Sequence, residues 1–375
     1  MKLVYAFPEP LPLGRARGLQ VVNTVAALGR AGTQVDLAYD PVRNQDPFSY
    51  YGVDKPDSVT MFPVSRSFPW PLDRFHSNRI FYLRLLPLIQ SKINQSQVMV
   101  RHLKLARMLM RGIPGLPLLY ESHEVFADTV SPKMRPQTFA LEQAVIVGAT
   151  AIVANSLSTA KRLSALYGRT DGVSVIPNGV ERTMDPPSKP WNVASLNIAY
   201  AGSLFPWKGV ADLVKAAEEL PGCRISIMGG DQAAIDRLRG VLPHAGAEVI
   251  YSGSLPHAEV MHNLRHACIA VLPNRNSPDS AFTSPIKLFE YMSAGCAIVA
   301  SDLPSIREIL EDDDAVWFNP GEASSLAAAI RTLVSNPRLA QELGERVRRK
   351  SAAFTWDARA SRLNSVLDSV TRIKT

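Results

Sequence analysis

The sequence predicts an α/β protein made of two doubly wound, Rossmann-like domains. One observation is length, because 375 residues exceed what a single hydrophobic core usually organises. Another is that short apolar runs alternate with amphipathic stretches of helical period in both halves of the chain, which is typical of parallel sheets covered by helices. The last is a proline-rich stretch without periodicity at residues 181–196, which has the composition of a linker.

Composition is ordinary for a soluble globular protein, with 46% apolar and 20% charged residues. The formal charge of +7 indicates an anionic partner, either a nucleotide, a phospholipid surface or a nucleic acid. The three cysteines lie far apart in apolar runs, so they lack metal-binding spacing and indicate a reducing compartment. No stretch approaches ~20 uninterrupted apolar residues. The first apolar run is too short for a signal peptide, so we expect a cytoplasmic protein.

The first half opens on a βαβ pattern. KLVYAF reads as a strand, LQVVNTVAALGRAG as a helix with one apolar face, and VDLAY as a second strand. The loop at residues 13–18 would lie at the carboxyl edge of the sheet, where doubly wound sheets bind ligands. Arg15, Arg17 and Gly18 are candidates to meet an anionic group there. A strict G-x-G-x-x-G is absent, so dinucleotide binding has weak support.

The segment at residues 65–111 differs in composition from the rest of the chain. Its basic residues are opposed by a single acid, Asp73, and they alternate with aromatic and leucine side chains. This is the composition of a helix that lies on an anionic membrane. The alternative is that the apolar residues pack into the core of the first domain while the arginines are solvated. The sequence favours neither.

Later strands of the first half end in polar residues at the same predicted edge. These residues are Glu121, His123 and Glu124 after LPLLY, Asn155 and Ser156 after TAIVA, and Asn178 and Gly179 after VSVIP. A histidine at a strand end, beside carboxylates that can orient it, is a candidate catalytic group. A purely structural role is the alternative.

The second half repeats the strand–helix rhythm and contains the stretch SPIKLFEYMSAGCAIVAS. Ser284 and Pro285 suit the N-cap and first turn of a helix that Gly295 ends, with a buried strand behind it. Lys287 and Glu290 lie three residues apart, so they share one flank of this helix. That flank would seat a ligand with phosphates and hydroxyls, or it carries an ordinary surface ion pair.

In their order and spacing, these pieces resemble the retaining nucleotide-sugar glycosyltransferases of family 4, which have the GT-B fold. The segments that carry the resemblance are NTVAALGRAGTQVDL, YESHE, AIVANSLSTAKRL, VSVIPNGVE, YAGSLFPWKGVADLV, YSGSLPHAEV and SPIKLFEYMSAGCAIVASDLPSIREI. The resemblance implies two Rossmann-like domains facing across a cleft. It implies an acceptor-binding domain at 1–182, a linker at 183–196, a nucleotide-sugar domain at 197–353 and a helix at 354–375 that crosses back.

The resemblance also implies a donor site. Lys208 would hold the donor diphosphate, which agrees with the access and charge of a lysine beside glycine at a strand end; a solvated turn lysine is the alternative. Glu290 would accept hydrogen bonds from ribose hydroxyls, and His123 would contact the donor sugar or its phosphate. These three are the predicted catalytic residues. The other predicted donor-binding residues are Gly18, Asn155, Asn178, Gly202, Ser203, Gly253, Ser254, Leu255, Ser284, Pro285, Ile286 and Lys287.

Two positions depart from the family pattern. Phe282 stands where the first Glu of the Glu-x7-Glu motif is expected, so recognition of the donor sugar must be arranged differently. Ser203 stands where many relatives place an arginine against the second phosphate. Lys287 and Arg275 are the candidates to supply that charge.

The predicted function is therefore retaining transfer of a hexose from a UDP- or GDP-sugar to an acceptor hydroxyl, without a metal or other cofactor. Expected partners are the nucleotide sugar, a lipid-linked or glycan acceptor and an anionic membrane surface through residues 65–111; no nucleic acid is expected. The protein would act in cell-surface glycan or glycolipid synthesis, at the inner membrane face. Alternatives are a sugar-nucleotide epimerase or phosphorylase on the same fold, and a non-catalytic basic protein that binds membranes or nucleic acid.

Overall fold

A computed structural model describes residues 1–14, 16–181, 189–192, 196–240, 246–277, 280 and 286–372. The chain forms two compact units, residues 1–179 with 356–375, and residues 180–355. Each unit contains one sheet of parallel strands with helices between them, so the predicted pair of doubly wound α/β domains is confirmed. Most of the predicted linker, residues 183–188 and 193–195, lies outside the described residues.

The described residues form thirteen strands. They are β1 (Lys2–Leu11), β2 (Gln34–Pro41), β3 (Val59–Pro63), β4 (Gln97–Val100), β5 (Leu118–Ser122), β6 (Ala151–Ala154), β7 (Val173–Val175), β8 (Asn197–Ala201), β9 (Arg224–Met228), β10 (Glu248–Gly253), β11 (Ile269–Leu272), β12 (Ala297–Ser301) and β13 (Ala315–Phe318). Most connections between them contain a helix, as parallel pairing requires.

The helices of the described residues follow in the same order. They are α1 (Ala16–Arg30), α2 (Pro47–Tyr51), α3 (Asn78–Lys92), α4 (Leu103–Gly112), α5 (Phe126–Thr129), α6 (Arg135–Gly148), α7 (Leu157–Tyr167), α8 (Val210–Ala216), α9 (Gln232–Arg239), α10 (His257–His266), α11 (Ile286–Ser293), α12 (Pro304–Arg307), α13 (Ala323–Val334), α14 (Pro337–Ser351) and α15 (Trp356–Arg372). Among them, no helix combines the length and the apolar character needed to cross a membrane.

The strand order of each sheet determines where a ligand can bind. The first sheet has the order β3-β2-β1-β4-β5-β6-β7, and the second has the order β10-β9-β8-β11-β12-β13. The order reverses between β1 and β4 in the first unit and between β8 and β11 in the second. Loops diverge at such a reversal and leave a crevice at the carboxyl ends of the strands. The candidate site residues should therefore follow these strands.

The central strands of both sheets are buried on their two faces, which explains their continuous apolar runs. Every residue of β11 and β12 is buried, and so are the residues from Leu3 to Phe7 in β1. The predicted apolar face of α11 is confirmed, because Leu288, Phe289 and Met292 are fully buried. Gly295 follows this helix with a left-handed φ of 67°, the conformation expected of a helix-ending glycine.

The segment at residues 65–111 divides into two parts. In α3 and α4 the apolar side chains of Phe81, Leu85 and Leu105 are fully buried, as the core-packing alternative expects, whereas Leu83 of α3 is 57% exposed. Between β3 and α3, by contrast, residues 65–77 form a hairpin-like excursion with exposed aromatic side chains.

Helix α15 belongs to the first unit although it follows the second in the chain. It packs along α1, where Thr33 Oγ1 donates a hydrogen bond to Asn364 Oδ1 at 2.8 Å. Its first residue lies so close to Gly179 that a Cβ there would be 2.8 Å from the Trp356 backbone nitrogen. A side chain at residue 179 would therefore push this helix away from the segment that follows β7.

Candidate active site

Three neighbouring strands of the second sheet end in glycine at the carboxyl edge. These glycines are Gly202 after β8, Gly229 and Gly230 after β9, and Gly253 at the end of β10. Gly229 N donates to the Gly253 carbonyl at 2.6 Å, and a Cβ on Gly229 would lie 2.0 Å from the Gly202 carbonyl oxygen. With a φ of 127° and this contact, residue 229 has to be glycine. The edge is thus bare backbone that a ligand can approach closely.

The turn after β8 is braced by the segment after β11, across the strand-order reversal. The turn is a single 3-10 turn, Pro206–Lys208, followed by Gly209 with a left-handed φ of 67°. A Cβ on Gly209 would lie 1.8 Å from the Pro273 carbonyl oxygen. Arg275 N donates to the Trp207 carbonyl at 2.9 Å. These contacts fix the backbone position of Lys208 in the crevice.

Lys208 is a partly buried cation without a carboxylate partner among the described residues. Its Nζ lies 4.0 Å from the centroid of the Trp207 ring, a cation–π contact. Burial, with a smaller contribution from the positive charge of Lys287, lowers the pKa of Lys208 to about 8. A negatively charged ligand would relieve both effects, so this position favours an anion.

Arg275, one candidate for the missing phosphate contact, has its charge already paired. Its Nε lies 2.7 Å from Asp212 Oδ2, and its Nη2 lies 2.5 Å from Asp212 Oδ1. Asp212 is only 2% exposed, so this bidentate pair is anchored in α8. Arg275 therefore braces the turn that carries Lys208.

Glu290 is a buried carboxylate held from both sides. Its Oε2 lies 2.7 Å from Lys287 Nζ, which confirms that the two side chains share one flank of α11. Its Oε1 lies 2.9 Å from His257 Nε2, at the start of α10. Burial alone would raise the pKa of Glu290, but Lys287 and His257 outweigh it and lower the value to about 2. The carboxylate is therefore ionised and held in place by its two partners.

Sequence reasoning missed His257. It lies 33 residues from Glu290 in the chain, and the sequence around it shows only one more helix with three histidines. Its single signal is its position just after the YSGSL loop, which the resemblance already placed near the donor.

We predict that His257→Ala raises the donor KM about tenfold and changes kcat little, because Glu290 loses a charge-assisted hydrogen bond and its preferred orientation. His262→Ala, an exposed histidine on the same helix, is the matched control and should leave both constants unchanged. Steady-state kinetics with varied donor provides the measurement. Equal KM values for the two variants would show that His257 does not position Glu290 for the donor.

The other residues predicted in the second unit occupy the same edge where the structure describes them. Ser203 is exposed, and its carbonyl accepts a hydrogen bond from Tyr200 Oη at 2.7 Å. Ser254 Oγ donates to the Gly230 carbonyl at 3.2 Å, which links the loops after β9 and β10. Leu255 is half-buried, and Ile286 is the buried first residue of α11. Phe282, Ser284 and Pro285 lie outside the described residues.

In the described part of the chain, no group of three His, Cys, Asp or Glu side chains is placed to hold a metal ion.

In the first unit, His123 follows β5 at the carboxyl edge of the sheet. Its Nε2 lies 2.9 Å from Glu121 Oε1. Burial lowers the pKa of His123 to about 4, and the nearby positive charge of Arg101 adds to this, so the imidazole is neutral at neutral pH. The Asn155 side-chain amide donates to the His123 carbonyl at 3.0 Å and accepts from Thr159 Oγ1 at 2.8 Å. Asn155 thereby fixes the backbone that carries the histidine.

Glu121 is the centre of a buried network that orients this edge. Tyr5 Oη donates to its Oε2 at 2.5 Å, and Gln20 Nε2 donates to its Oε1 at 2.8 Å. The Arg359 guanidinium, from α15, donates to the same carboxylate and to the Ile176 carbonyl at 2.7 Å. Burial would raise the pKa of Glu121, but His123, Arg359 and Arg101 hold it well below its usual range.

Gly18, predicted as a ligand contact after β1, also packs closely against a neighbouring side chain. A Cβ on Gly18 would lie 2.1 Å from the Tyr51 hydroxyl, which fastens the loop by donating to the Leu13 carbonyl at 2.5 Å. In the same loop, Arg17 pairs with Glu9 at 2.6 Å, and Arg15 lies outside the described residues.

Asn178 is only 5% exposed and lies in the segment after β7. It belongs to the same edge of the first sheet as His123, since β5, β6 and β7 are neighbours in that sheet.

Two family models together match most of the chain. The model for Glycosyltransferase Family 4 matches residues 18–183, and the model for Glycosyl transferases group 1 matches residues 181–350. A glycogen synthase from Mycobacterium tuberculosis is 26% identical over 243 residues, which cover 62% of this chain and 57% of that protein. The matched region thus spans less than two thirds of that relative's length.

Solved structures share the fold over the whole chain. Sucrose-phosphate synthase from Thermosynechococcus elongatus superimposes with a TM-score of 0.76 at 16% identity and covers 100% of both chains. A protein from Anabaena, solved in complex with UDP, gives a TM-score of 0.73 at 16% identity over 98% of this chain and 100% of its own. With one family model on each unit and the same two-sheet architecture in these structures, the chain belongs to the GT-B glycosyltransferases of family 4 type.

Proposed function

We propose that the protein transfers a sugar from a nucleoside-diphosphate donor, a UDP- or GDP-sugar, to an acceptor hydroxyl. The observation that carries this proposal is Lys208, a cation without a carboxylate partner in the described part of the chain, fixed beside three glycine-ended strands. A diphosphate supplies the negative counter-charge that is missing beside this lysine, and the bare backbone lets the diphosphate approach closely. That the similar Anabaena protein was solved with UDP supports a uridine nucleotide as the first donor to test.

Glu290 would bind the ribose. A carboxylate that is ionised and held by Lys287 and His257 is a fixed acceptor for hydroxyl donors. Lys287 lies near enough to Lys208 to lower its pKa, so the two lysines form one positive region, and the diphosphate would lie against it. Lys287 is itself paired with Glu290, but it is the better candidate for the second phosphate contact because its charge acts on Lys208 and that of Arg275 does not.

The chemical step would be promoted by charge stabilisation. As the glycosidic bond breaks, negative charge grows on the departing diphosphate, and a lysine already in place stabilises it without reorganisation. Glu121 and Glu290 are buried and held by cations, so neither is free to attack the anomeric carbon. We therefore favour attack by the acceptor on the face that the diphosphate leaves, with retention of configuration and with the diphosphate taking the acceptor proton. His123 would act as a neutral hydrogen-bonding group toward the transferred sugar.

A donor screen tests this proposal. UDP- and GDP-sugars are incubated with the protein and an alcohol acceptor, and released UDP or GDP is measured. One donor should release its nucleotide in proportion to acceptor, and the product should keep the anomeric configuration of the donor in its proton NMR spectrum. Isomerised donor without nucleotide release would instead identify an epimerase, and an inverted product would contradict same-face attack.

The pKa of Lys208 predicts a pH dependence. Since this pKa is lowered to about 8, the charge is present at neutral pH and is lost as the pH rises through that value. We expect kcat/KM, which reports the free enzyme, to fall in this range. A bound diphosphate raises the pKa of a neighbouring lysine, so the fall in kcat at saturating donor should occur at higher pH. Lys208→Arg keeps its charge throughout and should lack both falls; an unchanged kcat/KM profile in this variant would assign the fall to another group.

A further inference from the structure

A protruding hairpin at residues 65–77 of the first unit exposes large apolar side chains. It follows β3, and its base is closed by a bridge between Ser67 and His76 and by a hydrogen bond from Phe68 N to the Phe75 carbonyl at 3.0 Å. Trp70 at the tip is 85% exposed, the highest value among the large apolar side chains of the described residues. Leu72 and Phe75 are each 50% exposed. Such a group on an ordered loop indicates a surface that is covered in use.

The same hairpin is basic. Arg66 and Arg74 lie within it, Arg79 and Arg84 lie in the adjoining part of α3, and Asp73 is the single acid of residues 65–111. The Arg74 guanidinium lies 5.0 Å from the centroid of the Phe75 ring. Arg74 and Arg79 are exposed, and within the described part of the chain neither pairs with a carboxylate. Their charges therefore remain available to an anionic partner.

We propose that this hairpin docks on an anionic lipid bilayer, with Trp70, Leu72 and Phe75 entering the interface and the arginines contacting lipid phosphates. A bilayer of this kind has a negatively charged surface above an apolar interior. The arginines suit the surface, and the exposed aromatic and leucine side chains suit the apolar layer below it. A protruding tip suits a fluid surface that closes around it, whereas a protein partner would need a preformed pocket.

In the structure, the proposed membrane contact is confined to a smaller part of residues 65–111 than the composition suggested. Helices α3 and α4 turn Phe81, Leu85 and Leu109 into the core, so these side chains take no part in the contact, although Leu83 of α3 is 57% exposed. A short tip with few apolar side chains gives weak, reversible binding that depends on anionic lipid. Docking of this hairpin depends on neither the donor nor the acceptor of the proposed reaction.

Cosedimentation with vesicles tests the docking surface. One set of vesicles is an equimolar mixture of phosphatidylglycerol and phosphatidylcholine, and the other is phosphatidylcholine alone. At low salt the protein should sediment with the anionic vesicles. The double variant W70A/F75A should lower the partition coefficient by about tenfold or more. R74Q and R79Q should each lower it by about fivefold on anionic vesicles.

Exposed residues outside the hairpin provide matched controls. The apolar control is M134A/V147A, since both side chains are exposed on or beside α6, and the charge control is R265Q on α10. Both should bind vesicles as the wild type does.

A second measurement locates the tip. Brominated phosphatidylcholine in the anionic vesicles should quench tryptophan fluorescence of the wild type. Trp70→Phe keeps an aromatic anchor, so it should still sediment while losing most of the quenching. Absence of wild-type binding at low salt, or equal binding by W70A/F75A, would overturn the proposal. Self-association that W70A/F75A abolishes, without vesicle binding, would assign the tip to a second copy of the chain.

Discussion

Lys208→Ala should lower kcat about 10²- to 10³-fold, the effect of removing one preorganised group that stabilises charge in the transition state. The Lys208 Nζ lies over the Trp207 ring. No carboxylate of the described residues pairs with it, so its positive charge is available to the ligand. The diphosphate gains its extra negative charge as the glycosidic bond breaks, so kcat should fall more than the donor KM rises. Steady-state kinetics with the donor identified by the screen measures both constants.

Lys215→Ala is the matched control, because this lysine is exposed on α8 in the same unit. It removes the same charge from the protein but not from the crevice, so its kinetics should equal those of the wild type. A Lys208→Ala enzyme with near-normal turnover would remove the diphosphate role from this residue and the main support for the proposed mechanism.

Arg359→Ala should destabilise the first unit by about 3–5 kcal/mol, because it leaves the buried Glu121 carboxylate without its cation. Arg359 and Glu121 are 2% and 1% exposed. The guanidinium also satisfies the Ile176 and Pro177 carbonyls, each at 2.7 Å, and these contacts would be lost together. Hydrogen exchange at the β5 amides, measured at increasing urea concentrations, reports the free energy of unfolding of this unit separately from that of the other unit.

Two further variants separate the buried charge from the loss of side-chain volume. Arg362→Ala removes an exposed arginine one turn along α15 and should cost less than about 1 kcal/mol. Adding Glu121→Gln to Arg359→Ala should restore part of the lost stability, since the uncompensated charge is then gone. Equal losses for Arg359→Ala and Arg362→Ala would show that the buried ion pair does not hold α15 to the sheet.

Much of the fold could be predicted from periodicity. Strands such as β5, β6, β8 and β12 are apolar runs bounded by turn residues, and the helices between them carry one apolar face. The sequence reasoning missed β3, β4 and β13, which are four or five residues long. The strands β5, β6, β8 and β12 are equally short, so length does not separate the two sets; β3, β4 and β13 are strands because they pair with neighbours distant in the chain. The order of strands in each sheet likewise depends on long-range pairing.

The sequence predicted those contacts of the candidate site that join residues close together in the chain. Lys287 and Glu290 are three residues apart on one helix, and their contact follows from helical geometry. The contact of Glu290 with His257 spans 33 residues, and that of Glu121 with Arg359 spans 238 residues. Neither follows from a local pattern. For Gly18 the structure shows a constraint that the sequence did not reveal, the close approach of the Tyr51 hydroxyl, while its predicted ligand contact stays a prediction.

Calorimetric titration of UDP and of GDP into the wild-type protein and the Lys208→Ala and Lys215→Ala variants tests the central claim most directly, since it needs neither acceptor nor turnover. We predict that one nucleotide binds the wild type and Lys215→Ala equally at one site per chain. For Lys208→Ala we expect binding to be roughly tenfold to a hundredfold weaker, the loss of one charge-assisted contact. Failure of both nucleotides to bind the wild type, or equal affinity for Lys208→Ala and Lys215→Ala, would contradict a diphosphate site at this edge of the second sheet.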